Sequence, residues 1–208
     1  MIEKNDLTVS ILAGGTSSRF GEPKELFIYQ GQPLLLHALD LAKKISNKIM
    51  VITNRNNQSI LLSDIRKVSD VKKNCGPLGG IYTALFHSDT TFVAVMPCDM
   101  PGLTSDVYNL LYRERHPEKP VALASEKGVE PMVSIWPKIL ISGLKEFISL
   151  GKLEMRKVLA GLDAKIINVQ NTSEKFRSDL FLNINSKKDL EPNVSITIKP
   201  DYNVIYHD

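Results

Sequence analysis

The chain has 208 residues, 43% of them hydrophobic and 24% charged, which suits one domain able to bury a sizeable core. A formal net charge of +3, with Lys and Arg scattered among Asp and Glu, argues against a nucleic-acid or membrane-binding surface, so any anion site must be local. No apolar run reaches the roughly 18 residues of a membrane span, and the polar start Met1-Ile2-Glu3-Lys4-Asn5-Asp6 does not read as a signal peptide, so a cytoplasmic protein is expected.

Leu7 to Ala13 reads as a strand apolar on both faces, as in the centre of a parallel sheet. A loop rich in glycine and hydroxyls follows, and a short apolar patch occupies Leu26 to Tyr29. Pro33 opens a helix over Leu34 to Ile45 with a wide apolar stripe. Ile49 to Thr53 is a second strand, and Ile65 to Ser69 a short third one ending at Asp70. The loop finishing in Gly76-Pro77-Leu78-Gly79-Gly80 introduces a helix over Ile81 to Phe86, and Phe92 to Met96 is a strand as apolar as the first.

Beyond this point the alternation of strand and helix weakens. Thr104 is placed to cap a helix to about Arg115. Val121 to Ala124 and Met132 to Trp136 read as a hairpin beside the main sheet, joined by polar Ser125 to Glu130. Lys138 to Leu150 and Glu154 to Leu162 are helices split at Gly151; Lys165 to Val169 and Phe181 to Ile184 are further strands. Ser186-Lys187-Lys188-Asp189 has the spacing that starts a last helix, broken by Pro192, and the alternation from Val194 to Ile198 suits an edge strand. The expected organisation is a single domain over 1–191 with a C-terminal extension over 192–208.

Chemistry concentrates in Leu12-Ala13-Gly14-Gly15-Thr16-Ser17-Ser18-Arg19-Phe20-Gly21-Glu22-Pro23-Lys24. Glycines let backbone N–H groups approach an anion, and Arg19 and Lys24 add charge where phosphates would lie. The spacing fits neither GxxxxGK[ST] nor GxGxxG; the plain alternative is a surface turn. A second carboxyl end, Pro97-Cys98-Asp99-Met100-Pro101, delivers Asp99. In an open α/β sheet both loops face one crevice, where Asp99 could hold Mg²⁺ with phosphate oxygens or merely cap its own turn. Cys75 and Cys98 lack zinc-like spacing, and His37, His87, His116 and His207 lack spaced partners, so packing or surface roles are expected for all of them.

The loop, taken with Asn54-Arg55, Asp70, Gly76-Pro77-Leu78, Asp99 and Phe181-Leu182-Asn183-Ile184-Asn185, resembles the molybdenum cofactor guanylyltransferases of molybdopterin-guanine dinucleotide biosynthesis across nearly the whole chain. The resemblance implies a three-layer α/β fold of nucleotide-diphospho-sugar transferase type: a mostly parallel, Rossmann-like sheet with helices on both faces. It implies transfer of GMP from Mg-GTP to molybdopterin with release of pyrophosphate. By position it assigns Leu12, Ala13, Gly14, Gly15, Lys24, Asn54, Asp70 and Asp99 to the nucleotide, Asp99 to the metal, and Asn183 and Asn185 to the acceptor side. Arg19, Lys24 and Asp99 are the expected catalytic residues, Arg19 from charge and spacing as a clamp on the leaving pyrophosphate. Molybdoenzymes or other cofactor-biosynthesis proteins are expected partners, and a monomer or weak homo-oligomer the expected state.

The chain departs from the family pattern at Pro23, where an Asp is usual, and around Gly151-Lys152-Leu153-Glu154, where Arg or Ser usually follows the glycine. Ala13-Gly14-Gly15 stands where relatives that use CTP usually have Ala-Ala-Gly, which favours GTP. The competing readings are a molybdopterin cytidylyltransferase, a sugar- or alcohol-phosphate nucleotidyltransferase, and a nucleotide-binding accessory protein for molybdoenzyme maturation.

Overall fold

The computed structural model describes residues 5–13, 23–53, 65–172, 176, 179–184 and 189. The first strand, β1 (Leu7–Leu12), lies at the centre, as its two-sided apolar pattern requires. A tight hairpin of β2 (Ile28–Tyr29) and β3 (Gln32–Pro33) follows, turning through Gln30 and Gly31, both with positive φ. Two consecutive positive-φ residues match the right-handed twist of the paired strands. Sequence reading took this stretch only as an apolar patch. His37 ties the hairpin to the next helix, with Nε2 2.6 Å from the Tyr29 carbonyl and Nδ1 3.0 Å from the Gln32 amide.

That helix, α1 (Leu34–Ile45), starts directly after Pro33. It leads to β4 (Ile49–Thr53), β5 (Arg66–Ser69), α2 (Gly76–His87) and β6 (Phe92–Pro97). The helix expected from Ile81 begins five residues earlier, with its glycines inside the first turns. Gly79 has no room for a side chain: a Cβ there would lie 2.6 Å from the Lys72 carbonyl oxygen. Close packing against the preceding loop therefore overrides the poor helix propensity of glycine.

After α3 (Ser105–Arg113), preceded by Thr104 without a side-chain cap bond, come β7 (Val121–Ser125) and β8 (Gly128–Pro137). The supposed polar connector is largely strand. Its irregular look has a cause: the β7–β8 register jumps between Ala122↔Ser134 and Leu123↔Glu130, around Pro131, which cannot donate to a ladder. α4 (Ile141–Ser149), entered through a 3-10 turn at Lys138–Leu140, and α5 (Met155–Gly161) are separated at Gly151, whose φ is +66°. β9 (Lys165–Asn168) is the last strand among the described residues. Phe181–Ile184, expected as a strand, is a loop laid over the turn after β6. The proposed final helix from Ser186, apart from Asp189, and the segment 192–208 lie outside the described residues.

Among the described residues, seven strands form one sheet in the order β5-β4-β1-β6-β8-β7-β9. β5, β4, β1 and β6 are mutually parallel; β8 runs antiparallel to both β6 and β7, and β7 pairs parallel with β9. The hairpin of β7 and β8 therefore extends the main sheet rather than lying beside it. Alternate residues of each strand face opposite layers. Leu7, Val9, Ile11, Ala94 and Met96 pack under α1 and α3; Met50, Ile52, Val93, Val95 and Trp136 pack under α2, α4 and α5. Each large apolar side chain fully buried this way contributes about 1.5–3 kcal/mol. Among the described residues no helix is long and apolar enough to cross a membrane.

Candidate active site

From β1 the chain passes to β4 and β5 on one side, then returns to β6 on the other, so the topological switch lies between β1 and β6. Ligands of such sheets bind beyond the carboxyl ends of the strands at that point. Leu12 pairs with Pro97, so the residues leaving β1 and β6 emerge side by side. Ala13 is buried and donates its N–H to the Ile52 carbonyl at 2.9 Å; Leu12 is half-buried beside α2.

Asp99 leaves β6 and meets Lys24 from the single 3-10 turn Lys24–Leu26: Lys24 Nζ donates to Asp99 Oδ2 at 2.6 Å and to Asn183 Oδ1 at 3.3 Å. Asn183 arrives on the 179–184 loop, anchored by the Ile184 N–H to the Asp99 carbonyl at 2.9 Å. That loop crosses Gly102 closely enough that a Cβ there would lie 2.5 Å from the Asp179 carbonyl oxygen. The side chains of Lys24 and Asp99 keep 19% and 20% of their surface accessible, so they are shielded yet reachable from the crevice. Beside them Cys98 is buried; burial pushes its thiol well above the usual range, Asp99 and Glu25 add to the shift, and Lys24 opposes it. The thiol is buried and packed, as expected from the sequence.

Asp70 stands at the end of β5, on the same edge of the sheet. Its Oδ1 accepts hydrogen bonds from the Lys72 N–H at 2.9 Å and from Thr83 Oγ1 at 2.8 Å. Oδ2 lies over the first turn of α2, 3.0 Å from where a Cβ on Gly79 would sit. The structure thus gathers Lys24, Asp99 and Asn183 in one cluster and sets Leu12, Ala13 and Asp70 along the same edge. Gly14, Gly15, Arg19, Asn54 and Asn185 lie outside the described residues. Sequence reading passed over Glu25 and Thr83, both buried at this edge. The available signal was polarity out of place: Thr83 is a hydroxyl residue within the apolar run Leu78 to Leu85.

Among the described residues no three His, Cys, Asp or Glu side chains converge as a metal cage. A partly accessible carboxylate beside a lysine suits a hard cation that carries most of its ligands as water and phosphate oxygens. The arrangement can hold a phosphate chain by charge and hydrogen bonds.

Residues 9–166 match the family model described as a MobA-like NTP transferase domain. A Flavobacterium johnsoniae protein named "Probable molybdenum cofactor guanylyltransferase" is 34% identical over 88% of this chain and 94% of its own length. A Yersinia pseudotuberculosis protein named molybdenum cofactor guanylyltransferase is 29% identical over 89% and 94%. In fold, the chain is similar to molybdopterin-guanine dinucleotide biosynthesis protein A from Archaeoglobus fulgidus, with a TM-score of 0.72 at 23% identity over 88% of this chain and 94% of that one. The mostly parallel sheet with helices on both faces agrees with the three-layer α/β architecture that the family resemblance implied, and that fold is shared with the Archaeoglobus fulgidus protein. With the family model matching residues 9–166 and a relative 34% identical over 88% of the chain, this chain belongs to the MobA-like NTP transferase family.

Proposed function

We propose that this chain is a molybdenum cofactor guanylyltransferase that moves GMP from GTP to the terminal phosphate of molybdopterin. The reading agrees with the names of its relatives. The observation that carries it is the cluster of Lys24, Asp99 and Asn183 at the carboxyl ends of β1 and β6.

The reaction is an in-line displacement. An oxygen of the acceptor phosphate forms a bond to the α-phosphorus of GTP, the bond from that phosphorus to the bridging oxygen breaks, and the electron pair leaves on pyrophosphate. The acceptor phosphate is ionised near neutral pH, so positioning and charge stabilisation do most of the work. Lys24 binds the triphosphate. Asn183 orients the lysine and faces the acceptor side. We assign Leu12, Ala13, Gly14, Gly15, Asn54 and Asp70 to binding the nucleotide. Arg19 clamps the leaving pyrophosphate, and Asn185 joins Asn183 on the acceptor side. A divalent cation, Mg²⁺ in our reading, bound by Asp99 would neutralise charge on the phosphates.

Pyrophosphate release, measured with GTP or CTP and with molybdopterin or sugar phosphates as acceptors, in Mg²⁺ or EDTA, tests the assignment. Release is expected only with GTP, molybdopterin and Mg²⁺ together. Turnover with CTP while GTP is inert would overturn the choice of donor, and turnover with a sugar phosphate alone would overturn the acceptor.

A further inference from the structure

Thr83 is fully buried in the middle of α2, among Leu78, Ile81, Ala84 and Leu85. A buried hydroxyl is costly unless it is hydrogen-bonded, and in a helix it ordinarily turns back to a carbonyl of the preceding turn. Here it does something else. Oγ1 donates to Asp70 Oδ1 at 2.8 Å and accepts from the Val71 N–H at 3.1 Å. With the Lys72 N–H also on Oδ1 at 2.9 Å, that oxygen has both lone pairs engaged by the protein. Oδ2 accepts no hydrogen bond among the described residues and lies over Gly79, where only a hydrogen leaves it space.

We propose that Thr83 is a positioning residue of the nucleotide site: it holds the Asp70 carboxylate in one orientation, so that Oδ1 belongs to the protein and Oδ2 is left to accept from a donor on the nucleotide. The inference rests on the reading of Asp70 as part of the GTP site. An exposed aspartate samples several rotamers, and ordering one of them on binding costs affinity. Thr83 moves that ordering into folding. It acts from the buried face of α2, while Gly79 on the same helix allows the close approach that brings the carboxylate over the first turn.

The test is a double-mutant cycle on GTP affinity, measured by titration calorimetry with Mg²⁺, together with steady-state kinetics and Tm for each variant. Thr83→Val keeps the volume and removes the hydroxyl. It is expected to weaken GTP about tenfold, in keeping with loss of a hydrogen bond to a charged group, through KM, with kcat changed less than about threefold. Thr83→Ser restores affinity to within about threefold of the wild type. In an Asp70→Ala background Thr83→Val has no further effect.

Wild-type affinity in Thr83→Val overturns the inference, as does an equal loss in the Asp70→Ala background, because a purely structural residue acts whether or not Asp70 is present. If Thr83→Val does not fold, Thr83→Cys carries the same comparison, since a thiol donates weakly. Asp70→Ala with unchanged GTP affinity removes Asp70 from the site and this inference with it. Lost affinity in Asp70→Ala beside an unaffected Thr83→Val overturns the inference alone.

Discussion

Lys24 Nζ sits 2.6 Å from Asp99 Oδ2, a contact across 75 residues of sequence made where β1 and β6 end side by side. A pair of this kind can serve structure or chemistry, and the two are separable. Lys24→Ala and Asp99→Asn are each expected to lower pyrophosphate release by about 10²–10³-fold, the scale seen when a charge-stabilising donor is removed. Both side chains are partly accessible, so Tm should move little. The exchanged double variant, Lys24→Asp with Asp99→Lys, restores the ion pair and should remain inactive. Turnover recovered by the exchange would make the pair structural.

Two neighbouring glycines of α2 should answer differently to alanine. At Gly79 a Cβ would meet the Lys72 carbonyl at 2.6 Å and Asp70 Oδ2 at 3.0 Å, both parts of the loop that we propose lines the nucleotide. At Gly80 it would meet Leu12 Cδ1 at 3.2 Å and Cδ2 at 3.3 Å, the ends of a flexible side chain. Gly79→Ala is expected to lose about 1–3 kcal/mol of stability and to weaken GTP binding. For Gly80→Ala the gain in helix propensity, about 1 kcal/mol, offsets the local crowding, so stability should stay near that of the wild type. Denaturant unfolding and GTP titration of both variants check the contrast, and equal losses in the two would contradict it.

The same glycines mark a limit of sequence reading. Helix α1 is legible because an apolar stripe starts just after Pro33, and β4 because it is short and β-branched. The start of α2 is not: Gly-Pro-Leu-Gly-Gly disfavours helix locally, and only contacts with Lys72 and Leu12 make small residues necessary there. Phe181–Ile184 misleads in the opposite direction. Its apolar residues suit a strand, yet they fold as a loop in which Ile184 is buried and its N–H bonds to the Asp99 carbonyl. Placing Lys24 opposite Asp99 needed only the rule that ligands gather at the carboxyl ends of parallel strands. Thr83 had no such rule, because its partner lies outside its own element.

The two thiols should differ in reactivity. Cys98 is buried, and its thiol is held protonated by that burial, with Asp99 and Glu25 adding to the effect. Cys75 precedes α2 and is partly accessible, its Sγ 3.5 Å from the Lys73 carbonyl. Since the thiolate is the reactive form, iodoacetamide at pH 8 should label Cys75 alone in the native protein and both in denaturant. Native labelling of Cys98, read by peptide mass spectrometry, would contradict the burial of β6's carboxyl end.

Stability should fall in strong alkali, and Tyr108 names one cause. Its side chain is fully buried in α3, its hydroxyl donates to the Val95 carbonyl at 3.1 Å, and burial raises its pKa well above the usual value of 10.0. The sign follows from linkage. Above pH 10 the unfolded chain releases this proton while the folded chain keeps it, so the unfolded state binds fewer protons and the free energy of unfolding declines with rising pH. The contribution is fully present below the unfolded pKa and is lost as pH rises towards the folded one. Tyr112, raised by burial and by its hydrogen bond to Asp6 at 2.5 Å, acts in the same direction. Tyr108→Phe removes the ionisable group at a cost of about 1 kcal/mol at pH 7, the value of one lost hydrogen bond. Between pH 9 and 11.5 its Tm should therefore fall less steeply than that of the wild type, so that the two curves converge. Parallel curves would mean that Tyr108 ionises in the folded protein as readily as in the unfolded chain, which its burial forbids.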